Sequence, residues 1–227
     1  MEFNQEDLTF KHPFTAIIAG MTGSGKTVLL RRILRDHRST ISRIDTTPIK
    51  VLWAYGAWQG LYDQPIGEGV NVTYVDGLPT EEDLDIHHPK IIVIDDLMTE
   101  LGGNKNLANL FTKGSHHRNI SVIFIVQNIF HQGQQMRTIS LNTHYFILMK
   151  NPRDKSQIYA LGRQLFPENM KFFHEAYSDA TKEMYGYLVI DMKQDTPSRL
   201  RIRTRLTREE IPESLKATFA PIIYVPK

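Results

Sequence analysis

At 227 residues, with 41% apolar and 23% charged side chains, the chain has the length and balance of an ordinary globular domain that can bury a core of its own. It contains no cysteine, which excludes disulfides and thiolate metal sites, and a formal net charge of +2 excludes nucleic-acid binding driven by bulk charge. No stretch has the length of a membrane-spanning helix or the pattern of a secretory signal, so the expectation is one domain over residues 1–227, in cytoplasm or nucleus, with no membrane partner.

Residues 1–12 are a polar lead-in that packs either on a sheet edge or on a neighbouring subunit. Phe14 to Ala19 is a short apolar run bounded by Pro13 and Gly20, which predicts a buried strand. Gly20, Gly25, Lys26 and Thr27 then stand at the spacing G-x-x-x-x-G-K-[ST], opening into VLLRRIL, whose leucines recur at helical spacing to about His37. Strand, glycine loop and helix in that order suit a phosphate chain: positive-φ glycines turn backbone N–H groups inward, and the helix N-terminus adds its dipole. Gly20, Thr22, Gly23, Ser24, Gly25, Lys26, Thr27 and Val28 are therefore the candidate nucleotide cradle. Lys26 would reach the β/γ-phosphates and Thr27 would ligate Mg²⁺. Arg31, Arg32, Arg35 and Arg38 lie opposite the leucines, and Arg199, Arg201, Arg203, Arg205 and Arg208 crowd the C-terminal region. Each group reads as a solvated face or as a local DNA contact.

Strands are predicted at Ile49–Tyr55 and Val70–Val75, and Thr80 with Asp83 three residues on marks a short helix with a capping box. Lys90–Asp96 (KIIVIDD) reads as a fully buried parallel strand whose C-terminal end carries two carboxylates, at the edge where open α/β sheets bind ligands. Asp95 is the candidate metal ligand, direct or through water, and Asp96 the candidate base for a water attacking the γ-phosphate. A short helix over Leu107, Leu110 and Phe111 follows, and then a strand, Ile120–Val126, ending on Gln127, which could orient the water or sense the γ-phosphate. His144–Met149 is a further strand. Asn151, with Pro152 next, reads as a helix start. Tyr185–Met192 and Leu200–Leu206 read as a closing hairpin, and the tail ending IIYVPK as a surface segment. The histidine pairs His87–His88 and His116–His117 are adjacent rather than i,i+4, which argues against metal ligation.

GMTGSGKT, IIVIDDLM, LFTKGSHHRNISVIFIVQN, FHQGQQMRTISLN and ILMKNPRD, in that order, resemble the motif run of the FtsK/HerA superfamily of DNA-pumping ATPases. Within it, the chain is most similar to the genome-packaging ATPases of double-stranded DNA viruses and of virus-like Polinton (Maverick) and adintovirus elements. The resemblance covers roughly residues 14 to 205. It implies an α/β P-loop NTPase of the ASCE/RecA-like kind, with a mainly parallel, doubly wound sheet and a C-terminal β-hairpin. By this resemblance ATP and Mg²⁺ are the cofactors: Lys26 and Thr27 hold phosphates and metal, Asp95 supports the metal, Asp96 activates water, and Gln127 is the polar residue after the acidic strand. Asp96 departs from the glutamate common in the wider superfamily, and its shorter side chain must sit closer or act through an extra water. The superfamily also donates an arginine to a neighbouring subunit's site; Arg118 is the candidate, with Arg137 and Arg153 behind it.

The function implied is ATP-driven translocation of double-stranded DNA into a capsid, by a homo-oligomeric ring that works with a capsid or portal protein where virions assemble in the host cell. Met98–Asn106 and Phe130–Arg137 are the candidate pore segments. The alternatives are a monomeric P-loop kinase, a non-packaging translocase of the same superfamily, and a nucleotide-binding subunit without turnover. Two carboxylates and a glutamine at the sheet edge favour water as the nucleophile over a second substrate.

Overall fold

The computed structural model describes residues 8–39, 43–97, 118–129, 139–207, 210 and 221–226. The strands are β1 (Thr15–Ala19), β2 (Ile49–Tyr55), β3 (Val70–Asp76), β4 (Ile91–Asp95), β5 (Ser121–Val126), β6 (Tyr145–Met149), β7 (Tyr187–Asp191), β8 (Ile202–Thr204) and β9 (Ile222–Tyr224). Among the described residues they form one sheet in the order β3-β2-β4-β5-β1-β6-β7-β8-β9. The first six positions of that order run parallel and the last three pair antiparallel. The helices are α1 (Lys26–Arg35), α2 (Glu81–His87), α3 (Ser156–Leu165) and α4 (Met170–Ala180).

The continuous apolar runs of β1, β4, β5 and β6 are explained by two cores, one on each face, because successive strand side chains point to opposite sides. On one face Ala16 and Ile18 of β1 meet Leu29, Leu30, Ile33 and Leu34 of α1. On the other, Ile17 and Ala19 join Leu84 of α2, Ile158 and Leu161 of α3, and Phe173 and Ala176 of α4. The doubly wound expectation is borne out. α1 is placed by Leu29, Leu30, Ile33 and Leu34, which occupy one side of the helix at i, i+1, i+4 and i+5 and are all buried. Helix α2 carries the predicted capping box, with Asp83 N–H donating to Thr80 Oγ1 at 3.2 Å and Thr80 N–H to Asp83 Oδ2 at 2.8 Å.

The IIYVPK tail lies at the surface as an added edge strand: Ile222–Tyr224 forms β9 beside β8, with the Tyr224 hydroxyl donating to Asp179 at 2.8 Å. Three expectations are corrected. Asn151 does not start a helix. Its Oδ1 accepts from the N–H groups of Arg153 and Asp154, closing a turn, and α3 begins only at Ser156, where Asp154 Oδ1 accepts from Ser156 N–H at 3.0 Å. Arg31 is not on a solvated face. It is 7% exposed, and its guanidinium donates to Tyr74 Oη, Gln64 O and Pro65 O, so it ties the segment after β2 to α1.

Arg203 is fully buried on β8 and paired with Asp191 of β7 at 3.2 Å. It also donates to Leu200 O at 3.1 Å and Leu8 O at 3.4 Å, with Phe10 beneath its guanidinium at 6.0 Å. Residues 8–12 of the lead-in therefore pack on their own chain: Leu8 and Phe10 are buried, and Phe10 stacks edgewise on Tyr145 at 4.8 Å, while residues 1–7 lie outside the described residues. The predicted helix over Leu107–Phe111 and both candidate pore segments lie outside the described residues.

Candidate functional site

Parallel register gathers the candidate groups at one sheet edge. Ala19 of β1 is level with Val126 of β5, and Asp95 of β4 is level with Ile125. Gly20, Asp96 and Gln127, each just past its strand, therefore emerge side by side, on the C-terminal edge where α/β sheets bind ligands. Gly20 N–H donates to Val126 O at 3.1 Å, anchoring the start of the glycine loop. A Cβ at Gly20 would lie 2.6 Å from Met149 Cβ, so only glycine lets the loop leave β1 this close to β6.

Gly23 and Gly25 have φ of 78° and 89°, the left-handed backbone that an inward-facing loop requires. Ser24 Oγ is buried without a hydrogen-bond partner among the described residues, which marks a place for an incoming acceptor. Lys26 Nζ donates to the loop's own Gly20 O at 2.7 Å and Met21 O at 3.0 Å, so its charge is held across the cradle. Burial lowers the Lys26 pKa, opposed by the nearby carboxylates of Asp95 and Asp96. Thr22, Gly23 and Val28 are exposed at the cradle's mouth, and Thr27 opens α1 on its inner side.

Thr27 Oγ1 donates to Asp95 Oδ2 at 3.2 Å, joining the helix start to the end of β4. Asp95 is 2% exposed; burial pushes its pKa up, and hydrogen bonds from Tyr62 and Thr27 oppose the rise. The next residue behaves differently. Asp96 is exposed with φ 57°, a left-handed conformation that costs a non-glycine residue of order 1 kcal/mol and persists where the surroundings impose it. The turn aims Asp96 sideways, and Gln127 Nε2 donates to its Oδ1 at 3.2 Å. One strand end thus supplies a buried carboxylate beside the threonine and an accessible one beside the glutamine. That division suits a metal ligand and a water-handling group respectively.

Arg118 does not join them. It precedes β5, at the opposite edge of the sheet and roughly 20 Å away by strand length, where it pairs with Glu81 and Asp85 of α2. Arg153 borders a smaller cavity of about 440 Å³ that opens against Thr22 and Gln127, whereas Arg137 lies outside the described residues.

Sequence reasoning missed two features of the site. Tyr62, on a short 3₁₀ turn (Gly60–Asp63), donates to Asp95 Oδ2 at 2.8 Å. It is packed in an aromatic cluster with Trp53, Trp58 and Tyr74, at ring separations of 5.7, 5.4 and 4.9 Å. The density of aromatics between residues 53 and 74 was the available signal. The second is the cavity, about 980 Å³, that runs from Gln127 and Asp95 across the glycine loop to Tyr185, Glu210 and Tyr224. That volume suits a mononucleotide.

No protein-family model and no curated protein sequence matches the chain. Solved structures do. The genome packaging NTPase B204 from Sulfolobus turreted icosahedral virus 2, in complex with AMPPCP, aligns with a TM-score of 0.57 at 10% identity, over 85% of this chain and 97% of that one. Its complex with ATP-gammaS aligns at 0.55 and 10% identity, over 85% and 96%. B204, the DNA-packaging ATPase from Sulfolobus Turreted Icosahedral Virus, aligns at 0.53 and 13% identity, over 80% and 94%. At such identities the likeness is one of fold. Together with the strand order and the glycine loop, it shows that this chain has the α/β fold of P-loop NTPases.

Proposed function

We propose that the chain is an ATP hydrolase that drives double-stranded DNA into a capsid, packaging the genome of a virus or virus-like element. The observation that carries the hydrolytic part is the paired arrangement at the end of β4: Thr27 on Asp95, and Gln127 on Asp96, both facing one cavity with the glycine loop. The packaging part is supported by the likeness in fold to B204, and by the motif run from GMTGSGKT to ILMKNPRD. The finer assignment to the Polinton and adintovirus type rests on those motifs alone.

Thr27 and Asp95 would hold Mg²⁺; their hard oxygen donors, 3.2 Å apart at a helix N-terminus, fit such an ion. When bound, Mg²⁺ would neutralise charge on the β- and γ-phosphate oxygens. Lys26 places a positive charge over the same oxygens, and the loop N–H groups and the Ser24 hydroxyl receive the phosphate chain. Asp96, exposed and held by Gln127, accepts the proton of the attacking water, and Gln127 Nε2 orients it. The site would be completed in a homo-oligomeric ring by an arginine from the next subunit, with Arg118 the proposed donor. Such an arginine is worth roughly 10³ to 10⁵ in rate where NTPases use one. Phosphate-backbone contacts would grip the DNA, so binding should weaken steeply with salt. The proposed setting is the host nucleus or cytoplasm, with a capsid or portal protein as partner.

Among the described residues, the hydroxyl of Tyr62 is one of two donors on Asp95 Oδ2. Groups that orient metal ligands are worth about 10- to 100-fold in metal affinity. Tyr62→Phe is therefore expected to raise the Mg²⁺ concentration for half-saturation, measured calorimetrically with AMPPCP present, by about that factor. An unchanged titration would remove Tyr62 from the site.

The experiment that tests the function is ATP hydrolysis against protein concentration, with and without duplex DNA, at low and moderate salt. A rate per subunit that climbs with concentration, rises further with DNA and falls with salt is the expected result. A flat, DNA-blind rate overturns it in favour of a self-contained phosphotransferase. Arg118→Ala is expected to depress only the concentration-dependent rate.

A further inference from the structure

The phosphate groups have a direction in this site. The γ-phosphate must reach the end marked by Asp96 and Gln127, and the chain then passes over Lys26 and Thr27 to the start of α1. What lies beyond Val28 is the arm of the cavity under the connection from α4 to β7, bordered by Tyr185. We propose that Tyr185 is the platform on which the nucleobase stacks. The inference rests on the reading of the glycine loop as a nucleotide phosphate site.

Three observations carry it. Tyr185 has φ 61°, set by the tight turn in which Gly186 N–H donates to Glu183 O, and that turn presents its side chain at the cavity. The residue is 58% exposed, and no other aromatic ring packs on it among the described residues, so its ring is not part of the core. It is also aimed at the loop: its Cδ1 and Cγ lie 3.3 and 3.7 Å from where a Cβ on Gly25 would stand. The inner part of the ring thus rests against the loop and the outer part is left to the cavity.

The connection that presents it is fixed. Gly186 N–H donates to Glu183 O at 3.2 Å, Lys150 N–H to Gly186 O at 2.9 Å, and Lys150 Nζ to Lys182 O at 2.9 Å. A Cβ at Gly186 would meet Ala180 O at 2.5 Å, so the turn closes tightly against the end of α4. An aromatic ring held in this way costs little further entropy when a base stacks on it. Stacking is tolerant of base identity, because every base presents a π-face. Tyr185 accordingly supplies affinity for the nucleoside rather than a choice between adenine and guanine.

The test is calorimetric binding of AMPPCP and of inorganic tripolyphosphate to wild type, Tyr185→Ala and Tyr185→Phe. Tyr185→Ala is expected to weaken AMPPCP by about 5- to 150-fold, the range for loss of one base–aromatic stack. Tripolyphosphate should stay within about twofold, and Tyr185→Phe should restore AMPPCP. The non-hydrolysable guanosine analogue should lose as much as AMPPCP does in Tyr185→Ala. Unchanged AMPPCP binding in Tyr185→Ala overturns the platform while leaving the nucleotide site intact. Equal loss of AMPPCP and tripolyphosphate overturns it too, assigning Tyr185 to support of the loop. If wild type binds neither probe, the nucleotide reading itself fails and the platform with it.

Discussion

Replacing Lys26 by methionine is expected to reduce ATP hydrolysis by at least about 10²- to 10³-fold, the scale on which a single preorganised donor to a developing oxyanion matters, while leaving the protein folded. The two halves of that expectation have separate causes. Among the described residues the lysine is the one ammonium within the glycine loop, so no other group of the loop carries its charge. Its cost to the fold follows from its pKa, which burial depresses below the ordinary lysine value, with Asp95 and Asp96 opposing. A base with a depressed folded pKa contributes stability only above its unfolded pKa, and that contribution is lost as pH falls through the folded value. At neutral pH the charged lysine therefore sits in the fold at a cost, offset by its bonds to Gly20 O and Met21 O. Methionine removes both cost and offset, and the melting temperature should fall no more than that of an ordinary surface variant. A variant that lost activity and melted far lower would mean that Lys26 holds the loop together rather than acting on phosphate.

The largest expected loss of stability lies at Arg203, whose side chain is not among those lining the cavity. This guanidinium and the Asp191 carboxylate are 0% and 1% exposed and 3.2 Å apart, and the arginine also caps Leu200 O and reaches Leu8 O. Arg203→Leu strands a buried carboxylate, which costs about 3–5 kcal/mol. For a chain of this size each kcal/mol moves Tm by about 2–4 °C, so a drop of roughly 6–20 °C is expected by scanning calorimetry. The second variant decides the cause. Adding Asp191→Leu removes the stranded charge and should recover most of the loss, because apolar pairs of similar volume replace buried ion pairs at little cost. A double variant as unstable as the single one would place the energy in the bonds to Leu200 and Leu8 instead.

The strands that carry the site were legible because two buried faces leave a plain signature: Ile91–Ile94 and Val122–Val126 are apolar throughout, and each run is followed at once by a polar group at the sheet edge, Asp95 and Gln127. The glycine loop was legible for a similar reason, since its backbone restricts the sequence to glycine at fixed spacing. Arg31 was not, because the amphipathic pattern of α1 assigns a helix face by polarity, and a long arginine can cover apolar ground while its head finds Tyr74 and two carbonyls. Arg203 escaped for the same reason on a strand. The β9 strand is three residues long and borrows its pairing from β8, so nothing local marks it. Tyr62 and Tyr185 owe their places beside the site to tertiary neighbours 33 and 160 positions away in the chain, Asp95 and Gly25 respectively; spacing along a sequence carries no trace of such meetings.

The aromatic cluster beside Asp95 has a practical consequence. The chain has two tryptophans, Trp53 and Trp58, and both rings lie within 6 Å of the Tyr62 ring whose hydroxyl holds the Asp95 carboxylate. Trp53 is fully buried and Trp58 is half-exposed, so their ultraviolet emission divides into a sheltered and a solvent-sensitive component. All of that light originates next to one carboxylate. Events at the end of β4 can thus be timed by stopped-flow on the unlabelled protein, with iodide quenching Trp58 and sparing Trp53.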